Sequence, residues 1–132
     1  MISVMPHRSR LSILLLDLPP DTHDAGRDFW AGATGHPATA DPAEPEWTEL
    51  GSFADGWHVA VQRTGAGTPP RWHVDVETDD VAAEVARLEA LGARRHADMG
   101  GFWQLTDPAG LVFCVVPVQT GADFERYATT WP

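Results

Sequence analysis

A histidine and an aspartate one residue apart are the first sign of chemistry in this sequence. His73 and Asp75 lie in an apolar stretch typical of a β-strand, where alternate side chains share a face. A histidine titrates near neutral pH, and a neighbouring carboxylate is a suitable partner for proton transfer. The pair predicts either a general acid and base acting on a small molecule, or a self-satisfied polar network that stiffens the domain.

Further polar residues occupy comparable positions in other predicted strands. Asp17 lies near the end of an apolar run, and His58 and Gln62 share one face of a later strand. A buried carboxylate is costly unless it is paired, and His73 or Arg71 is a suitable partner. The predicted ligand-binding face therefore contains Asp17, His58, Gln62, His73 and Asp75.

Six tryptophans in 132 residues is a high number. Most are expected in the core, with Trp57 and Trp72 facing the helices. Trp47 and Trp103 lie in strands next to the predicted polar face, although the pattern leaves their own facing open. An indole ring on that face would give a flat wall to an aromatic ligand, so Trp103 joins the predicted ligand-binding residues.

The composition indicates one globular domain and excludes several function classes. The formal net charge of −10 repels phosphate backbones, so no nucleic-acid partner is expected. Cys114 is the single cysteine, so no intrachain disulfide is possible, which fits a reducing compartment. The apolar run 11–16 is too short for a secretory or membrane-spanning segment, so we expect a cytoplasmic protein without membrane contact. Phosphate-loop, dinucleotide and nucleophile-elbow motifs are absent from the sequence.

Apolar spacing predicts two helices, over 22–34 and 79–91. Each is followed by a glycine, Gly35 or Gly92, that can take the left-handed conformation that ends a helix. Alternation and β-branched content predict the strands. They are expected at 11–18, 47–50, 58–62, 72–77, 102–106 and 111–116, with a further short helix at 122–127.

The two halves of the chain repeat the same order of elements at a nearly constant offset. The aligned pairs, 56 to 58 residues apart, include Leu15 with His73, Trp47 with Trp103, and Trp57 with Phe113. The order strand, helix, three strands thus occurs twice. The sequence predicts a single α+β domain of two tandem βαβββ modules. They span about 11–63 and 71–118, with a linker at 64–70 and a tail at 119–132.

Several motifs of the second half, and one of the first, resemble the vicinal-oxygen-chelate superfamily. They are the strand and helix start at 73–80, the helix end at 90–93, the Asp-Pro-x-Gly turn at 107–110, and Asp-Phe-Trp at 28–30. That superfamily includes glyoxalase I, bleomycin resistance proteins and extradiol dioxygenases, and the last motif resembles its glyoxalase-like branch. The resemblance implies a curled mixed-sheet cup with helices outside, a ligand inside, and a homodimer. Pairing of the modules within one chain or across the dimer stays open.

Metal-dependent members of that superfamily take ligands from the first, fourth, fifth and eighth strands. The resemblance places these positions at Leu15, His58, His73 and Cys114. A leucine cannot bind a metal, and a cysteine in an apolar run usually acts as a small hydrophobe. We therefore expect no metal or other cofactor and include Cys114 among the ligand-binding residues. A zinc site of two histidines and the thiol is the alternative.

The leading hypothesis is a metal-independent, small-molecule-binding protein similar to bleomycin resistance proteins, with its ligand in the cup. The first alternative is an enzyme, a glyoxalase-like lyase or isomerase, in which His73 works with Asp75 or His58, with or without a metal. The second alternative is an interaction module whose dimer surface is the function.

Overall fold

The computed structural model describes residues 6–132 and has the predicted α+β fold. Within that range the chain forms three helices and nine strands. They are β1 (His7–Leu18), α1 (His23–Thr34), β2 (Thr39–Ala40), β3 (Trp47–Glu49), β4 (His58–Arg63), β5 (Arg71–Thr78), α2 (Val81–Ala90), β6 (Arg94–Asp98), β7 (Trp103–Thr106), β8 (Val112–Pro117), α3 (Ala122–Tyr127) and β9 (Thr129–Trp131). The order strand, helix, three strands occurs twice, with parallel and antiparallel pairings, so the predicted fold class is confirmed.

The predicted helices are confirmed with small changes at their ends. α1 ends at Gly35, which has the left-handed φ of 75° that a glycine adopts without strain. α2 begins after Asp80, whose carboxylate accepts a hydrogen bond from the Ala83 N–H at 3.0 Å. α3 coincides with the predicted helix at 122–127. No helix in the described range is long and apolar enough to cross a membrane.

The sequence pattern did not locate three strands, although the predicted βαβββ modules require two of them, because none of the three alternates apolar and polar residues. β2 has two exposed residues, and β6 is almost wholly exposed and rich in charge. β9 pairs antiparallel with residues 7–9 of β1, so β1 also starts four residues before its predicted beginning. β2 and β6 depend on hairpin pairing with β3 and β7, and β9 depends on pairing with the distant β1, which the propensity of each segment does not encode.

Contacts within the chain define two compact units. The first unit is Ile13–His73, and the second unit is residues 6–12 together with Val74–Pro132. β1 and β5 each contribute one end to either unit. The predicted module boundaries, linker and tail stay a prediction.

In the first unit, strand alternation separates two apolar clusters. β1 pairs parallel with β4, which pairs antiparallel with β3, which in turn pairs antiparallel with β2. One face packs against α1 and contains Leu16, Leu18, Leu50, Val59 and Val61 with Trp30 and Ala31. The opposite face contains Ile13, Leu15 and Ala60, covered in part by Trp47. The face opposite α1 is thus the one on which β1 places Asp17.

In the second unit, β5 pairs parallel with β8, and β7 pairs antiparallel with both β8 and β6. The core lies between these strands and α2. It consists of Val76, Val85, Leu105 and Val115, with Val81, Leu88, Ala93, Trp103 and Phe113 packed around them. Helical spacing of Val81, Val85 and Leu88 gives α2 its apolar face, as predicted.

Glu77 is a fully buried carboxylate that holds the chain just after β8. Its Oε2 accepts hydrogen bonds from Arg10 Nε at 2.7 Å and from the Thr120 hydroxyl at 2.5 Å. Its Oε1 accepts the backbone N–H groups of Gln119 at 2.8 Å and of Thr120 at 3.0 Å. Burial raises the pKa of Glu77, but the bonds from Thr120, Arg10 and the two amides outweigh it and leave the pKa below its ordinary value.

We expect Glu77→Gln to lower the free energy of unfolding by about 2–4 kcal/mol at pH 7, because buried Arg10 loses its charged partner. Since the folded-state pKa of Glu77 is depressed, its stabilisation is complete above the unfolded value of about 4.3 and is lost as pH falls through the folded value. The difference between wild type and variant should therefore shrink on acidification. Urea denaturation at pH 7, 4 and 3 measures it.

The exposed Glu44 supplies the matched control, because its side chain lies on the surface of the first unit. Glu44→Gln should change stability by less than about 0.5 kcal/mol at each pH. A stability difference for Glu77→Gln that stays constant or widens at low pH would contradict the assignment of an ionised, stabilising carboxylate.

Candidate functional site

Asp17 is the centre of a buried ion-paired site in the first unit. Its Oδ2 accepts a hydrogen bond from His73 Nδ1 at 2.8 Å and another from Arg71 Nε at 2.9 Å. Asp17 is 1% exposed and the His73 side chain 4%, whereas the Arg71 side chain is 35% exposed. A buried carboxylate was predicted to need His73 or Arg71 as a partner, and Asp17 uses both.

The charge state of Asp17 follows from these two partners. Burial raises the pKa of its carboxyl, but the hydrogen bonds and charges of His73 and Arg71 outweigh burial and leave the pKa below its ordinary value. Asp17 is therefore ionised at neutral pH and can only accept hydrogen bonds. His73 Nδ1 must then carry a proton, so the carboxylate fixes both the orientation and the tautomer of the ring.

The second oxygen of Asp17 has a different environment. Oδ1 is buried, and among residues 6–132 no hydrogen-bond donor lies within reach of it. Leaving a buried acceptor without a donor costs about 1–3 kcal/mol, and more for a charged group, so such groups are rare in folded proteins. A donor supplied from outside the chain would remove that cost.

Strand pairing places further predicted residues beside Asp17. Gln62 is the pairing partner of Asp17 in β4, and Trp47 is the partner of Gln62 in β3. Paired residues on neighbouring strands point to the same side, so these three side chains share a face. His58 pairs with Ile13 on that face as well. Trp47, His58 and Gln62 are half-buried, so they are the accessible part of the face.

The register corrects the internal alignment of the two halves at the fourth strand. Asp17 pairs with Gln62 in the first unit, and Asp75 pairs with Cys114 in the second. The residue that corresponds to Cys114 is therefore Gln62, four positions beyond the predicted His58. Because four is an even number, His58 still points to the predicted face.

The structure gives the facing of Trp103, which the sequence pattern left open. Gln104, not Trp103, pairs with Cys114, and Trp103 packs in the core cluster against α2 with the Arg95 guanidinium 4.8 Å from its ring. A slip of one residue in a strand reverses the face, so Trp103 lies on the opposite side from Cys114. Gln104 was missed, because matching tryptophan to tryptophan hid the correct register.

Asp75 and Cys114 are the predicted site residues of the second unit. Both are buried, and their pairing across β5 and β8 turns them to one side of the strands. Cys114 is a free thiol. A carboxylate and a thiol are both possible zinc ligands. The roles predicted for Asp75, Cys114 and the residues around Asp17 in catalysis or ligand binding stay predictions.

Comparison with known proteins gives the family. The model of the glyoxalase-like domain matches residues 14–116, which is most of the chain. The chain belongs to the glyoxalase-like domain family. The predicted relationship to the vicinal-oxygen-chelate superfamily is thereby confirmed. No protein with curated annotation matches the sequence.

Solved structures of low identity share the fold. A methylmalonyl-CoA epimerase from Streptomyces coelicolor (Q60A) superposes with a TM-score of 0.51 at 16% identity, covering 84% of this chain and 98% of that one. An NAD-dependent benzaldehyde dehydrogenase from Legionella pneumophila gives 0.59 at 7% identity, covering 81% and 98%. An extradiol ring-cleaving dioxygenase from B.fuscum superposes with a TM-score of 0.54 at 15% identity, and the match covers 84% of this chain and 33% of that one. At these identities the likeness shows the fold.

We expect the two partners of Asp17 to contribute unequally to stability. His73→Ala removes a buried bond to an ionised group and should lower the free energy of unfolding by about 2–3 kcal/mol. Arg71→Ala removes a half-exposed, solvent-screened partner and should cost about 1 kcal/mol or less. Urea denaturation at pH 7 measures both values. An Arg71→Ala cost equal to or above that of His73→Ala would show that Arg71 is the principal partner.

Proposed function

We propose that this glyoxalase-like protein binds a small molecule against the face of the first unit that carries Asp17, without using a metal. The observation that carries the proposal is the buried Asp17 Oδ1, which accepts no hydrogen bond from any residue that the structure describes. A bound molecule with a suitable donor would satisfy it.

The chemistry of Asp17 defines one end of that ligand. The carboxylate is ionised and accepts only, and His73 and Arg71 already occupy Oδ2. A ligand must therefore bring an O–H or N–H group to Oδ1. Since Arg71 already balances the negative charge of Asp17, a neutral donor is favoured over a cation.

The neighbouring side chains define the other end of the ligand. Trp47 packs on Ile13, Leu15 and Ala60, and its Nε1–H is held by Glu49 Oε1 at 2.8 Å. A fixed, half-buried indole next to an apolar floor suits an aromatic ring. Gln62 lies between Trp47 and Asp17 and offers both a donor and an acceptor.

The side chain at Leu15 supports the metal-independent form of the proposal. The family resemblance places a metal ligand of the first strand at this position. Leu15 is instead a fully buried member of the apolar cluster with Ile13 and Ala60. A hydrocarbon at this position favours binding by apolar contact and hydrogen bonding.

Matched naphthalene probes test this proposal by fluorescence quenching of the tryptophans. We expect 2-naphthol to bind at least tenfold more tightly than 2-methoxynaphthalene, because only the naphthol can donate to Asp17 Oδ1. In Asp17→Asn, whose amide presents a donor as well as an acceptor, this preference should fall below about threefold. Asp21→Asn, an exposed aspartate of the same unit, should keep it.

The outcomes separate the parts of the proposal. Saturable binding with no preference for the naphthol in the wild type would leave a binding protein but remove the role of Asp17. Failure of both naphthalenes to bind at their solubility limits would remove this face as a site for neutral aromatic ligands.

A second candidate function, an acid–base lyase or isomerase, is favoured by the His73 geometry. The sequence predicts Asp75 or His58 as its partner, and Asp17 is a further one, because its Oδ2 accepts a hydrogen bond of 2.8 Å from His73 Nδ1. An imidazole oriented through Nδ1 by a carboxylate is the arrangement that histidine bases use in proteins. A metal at His73 would add Lewis-acid chemistry and is the metal-assisted form of this candidate.

Solvent exchange tests the acid–base candidate without an assumed substrate. If His73 removes protons next to a carbonyl group, the wild type should speed deuterium incorporation into 1-phenyl-2-propanone at least tenfold over Asp17→Asn, as measured by proton NMR. Asp21→Asn should match the wild type. Equal rates in the wild type, both variants and buffer would remove this function for ketone substrates.

The cytoplasmic location and the homodimer are part of the same proposal. The interaction-module alternative requires the dimer. Sedimentation velocity at micromolar concentration tests it, since a monomer under those conditions removes that alternative.

A further inference from the structure

A cavity lies in the first unit, at the end of α1 and on the side of β4 that carries Val59. Its volume is about 360 Å³, within the range of small-molecule pockets. It is lined by Thr34, His36, Leu50, Ser52, Phe53 and Val59. Leu50 and Val59 also belong to the core cluster against α1, whereas Asp17 projects from the opposite face of β1. The cavity is therefore separate from the site around Asp17.

Extra residues in one copy of the repeat build the wall of this cavity. The paired residues Trp47 and Gln62 are fifteen positions apart, whereas the corresponding pair in the second unit, Gln104 and Cys114, are ten apart. The five additional residues lie in the connection between β3 and β4, which contributes Leu50, Ser52 and Phe53 to the lining. The corresponding connection between β7 and β8 is shorter, so the strand pairing of this fold does not require the five additional residues.

The longer connection is held by its own hydrogen bonds. Leu50 N–H donates to the Val59 carbonyl at 2.9 Å, and Val59 N–H donates to the Gly51 carbonyl at 2.9 Å. The tip is closed by the Trp57 N–H, which donates to the Ala54 carbonyl at 3.0 Å. The rings of Phe53 and Trp57 pack 5.7 Å apart. A wall fixed in this way can bind a ligand without first being ordered.

A glycine lets His36 form the side of the cavity. Gly51 has a φ of +84°, and a Cβ at that position would lie 2.8 Å from His36 Cγ. The imidazole therefore rests directly on the Gly51 backbone, which no other residue type permits. This close approach keeps the ring beside Ser52 and Phe53 at the cavity.

The polar atoms of the lining indicate which groups a ligand must carry. The Thr34 hydroxyl donates to the Trp30 carbonyl at 2.8 Å, and the Ser52 hydroxyl donates to the Ala54 carbonyl at 2.6 Å. Both oxygens can still accept a hydrogen bond but have no proton left to give. A neutral His36 ring supplies one donor and one acceptor. The polar side of the cavity is thus richer in acceptors than in donors.

The apolar part of the lining indicates the body of the ligand. Leu50 and Val59 form a floor, and Phe53 is 58% exposed although it is fixed against Trp57. A large exposed aromatic side chain beside a cavity gains most by stacking on another ring. We propose that this cavity is a second binding site, for uncharged aromatic molecules that carry an N–H or O–H donor.

Indole and 1-methylindole form a matched probe pair for this site, since only indole can donate. Titration of ¹⁵N-labelled protein should give saturable shifts at the Gly51 and Phe53 amides and at the Trp57 indole N–H. Indole should bind at least fivefold more tightly than 1-methylindole. Phe53→Ala and His36→Ala should each weaken indole binding at least fivefold. Phe29→Ala, which removes another exposed phenylalanine of the same unit, should leave it unchanged.

The same NMR spectra give the result that would contradict the proposed binding site. Absence of saturable shifts at these three positions, or equal affinity in the wild type and both cavity variants, would show that the cavity is not a binding site. Shifts confined to the Trp47 indole N–H would assign the probe to the Asp17 face and would likewise show that the cavity is not its binding site.

Discussion

Burial of the Asp17 carboxylate sets the conditions for much of the first unit. An ionised group that is almost fully out of water must be held by donors, and His73 and Arg71 from the beginning of β5 supply them. Because both donors bind Oδ2, the start of β5 is fixed against the end of β1. Oδ1 has no hydrogen-bond donor among the described residues. The same interaction thus stabilises the strand arrangement and leaves a polar atom unsatisfied, a combination typical of functional sites.

Two buried carboxylates of the second unit, Glu77 and Glu84, differ from Asp17 because both of their oxygens accept hydrogen bonds. Glu77 accepts four hydrogen bonds from Arg10 and the segment after β8. Glu84 of α2 accepts a pair of bonds from Arg87 at 2.7 and 2.9 Å and one from His7 Nε2 at 2.8 Å. These hydrogen-bond networks hold the start of β1 and the segment after β8. Among the three acids, only Asp17 has an oxygen without a partner within the described residues. Hydrogen bonding of both carboxylate oxygens therefore distinguishes Glu77 and Glu84, which have a structural role, from Asp17 of the candidate site.

The sequence predicted the helices, the repeated order of elements and the face on which each polar residue lies. Helical and strand periodicities are local properties. Odd- and even-numbered residues of a strand point to opposite faces, which is how the faces of Asp17 in β1 and of His58 and Gln62 in β4 could be predicted. Register is not local, since it depends on the length of each connection. For this reason His58 was aligned with Cys114 in place of Gln62, four positions further on, and the facing of Trp103 could not be predicted. The orphan oxygen of Asp17 was equally hidden, because it is a property of three-dimensional packing.

The longer connection between β3 and β4 also affects how this chain can change over time. Its residues close on themselves through bonds at 50–59, so the strand pairs beyond the hairpin do not rely on its length. The counterpart in the second unit, a compact turn stabilised by Asp107, shows that the fold accepts a shorter connection. Insertions and deletions can therefore accumulate here without moving Asp17 or its partners. A fold whose two halves have connections of different length can thus carry an additional recognition surface in one half while both halves keep their strand pairs.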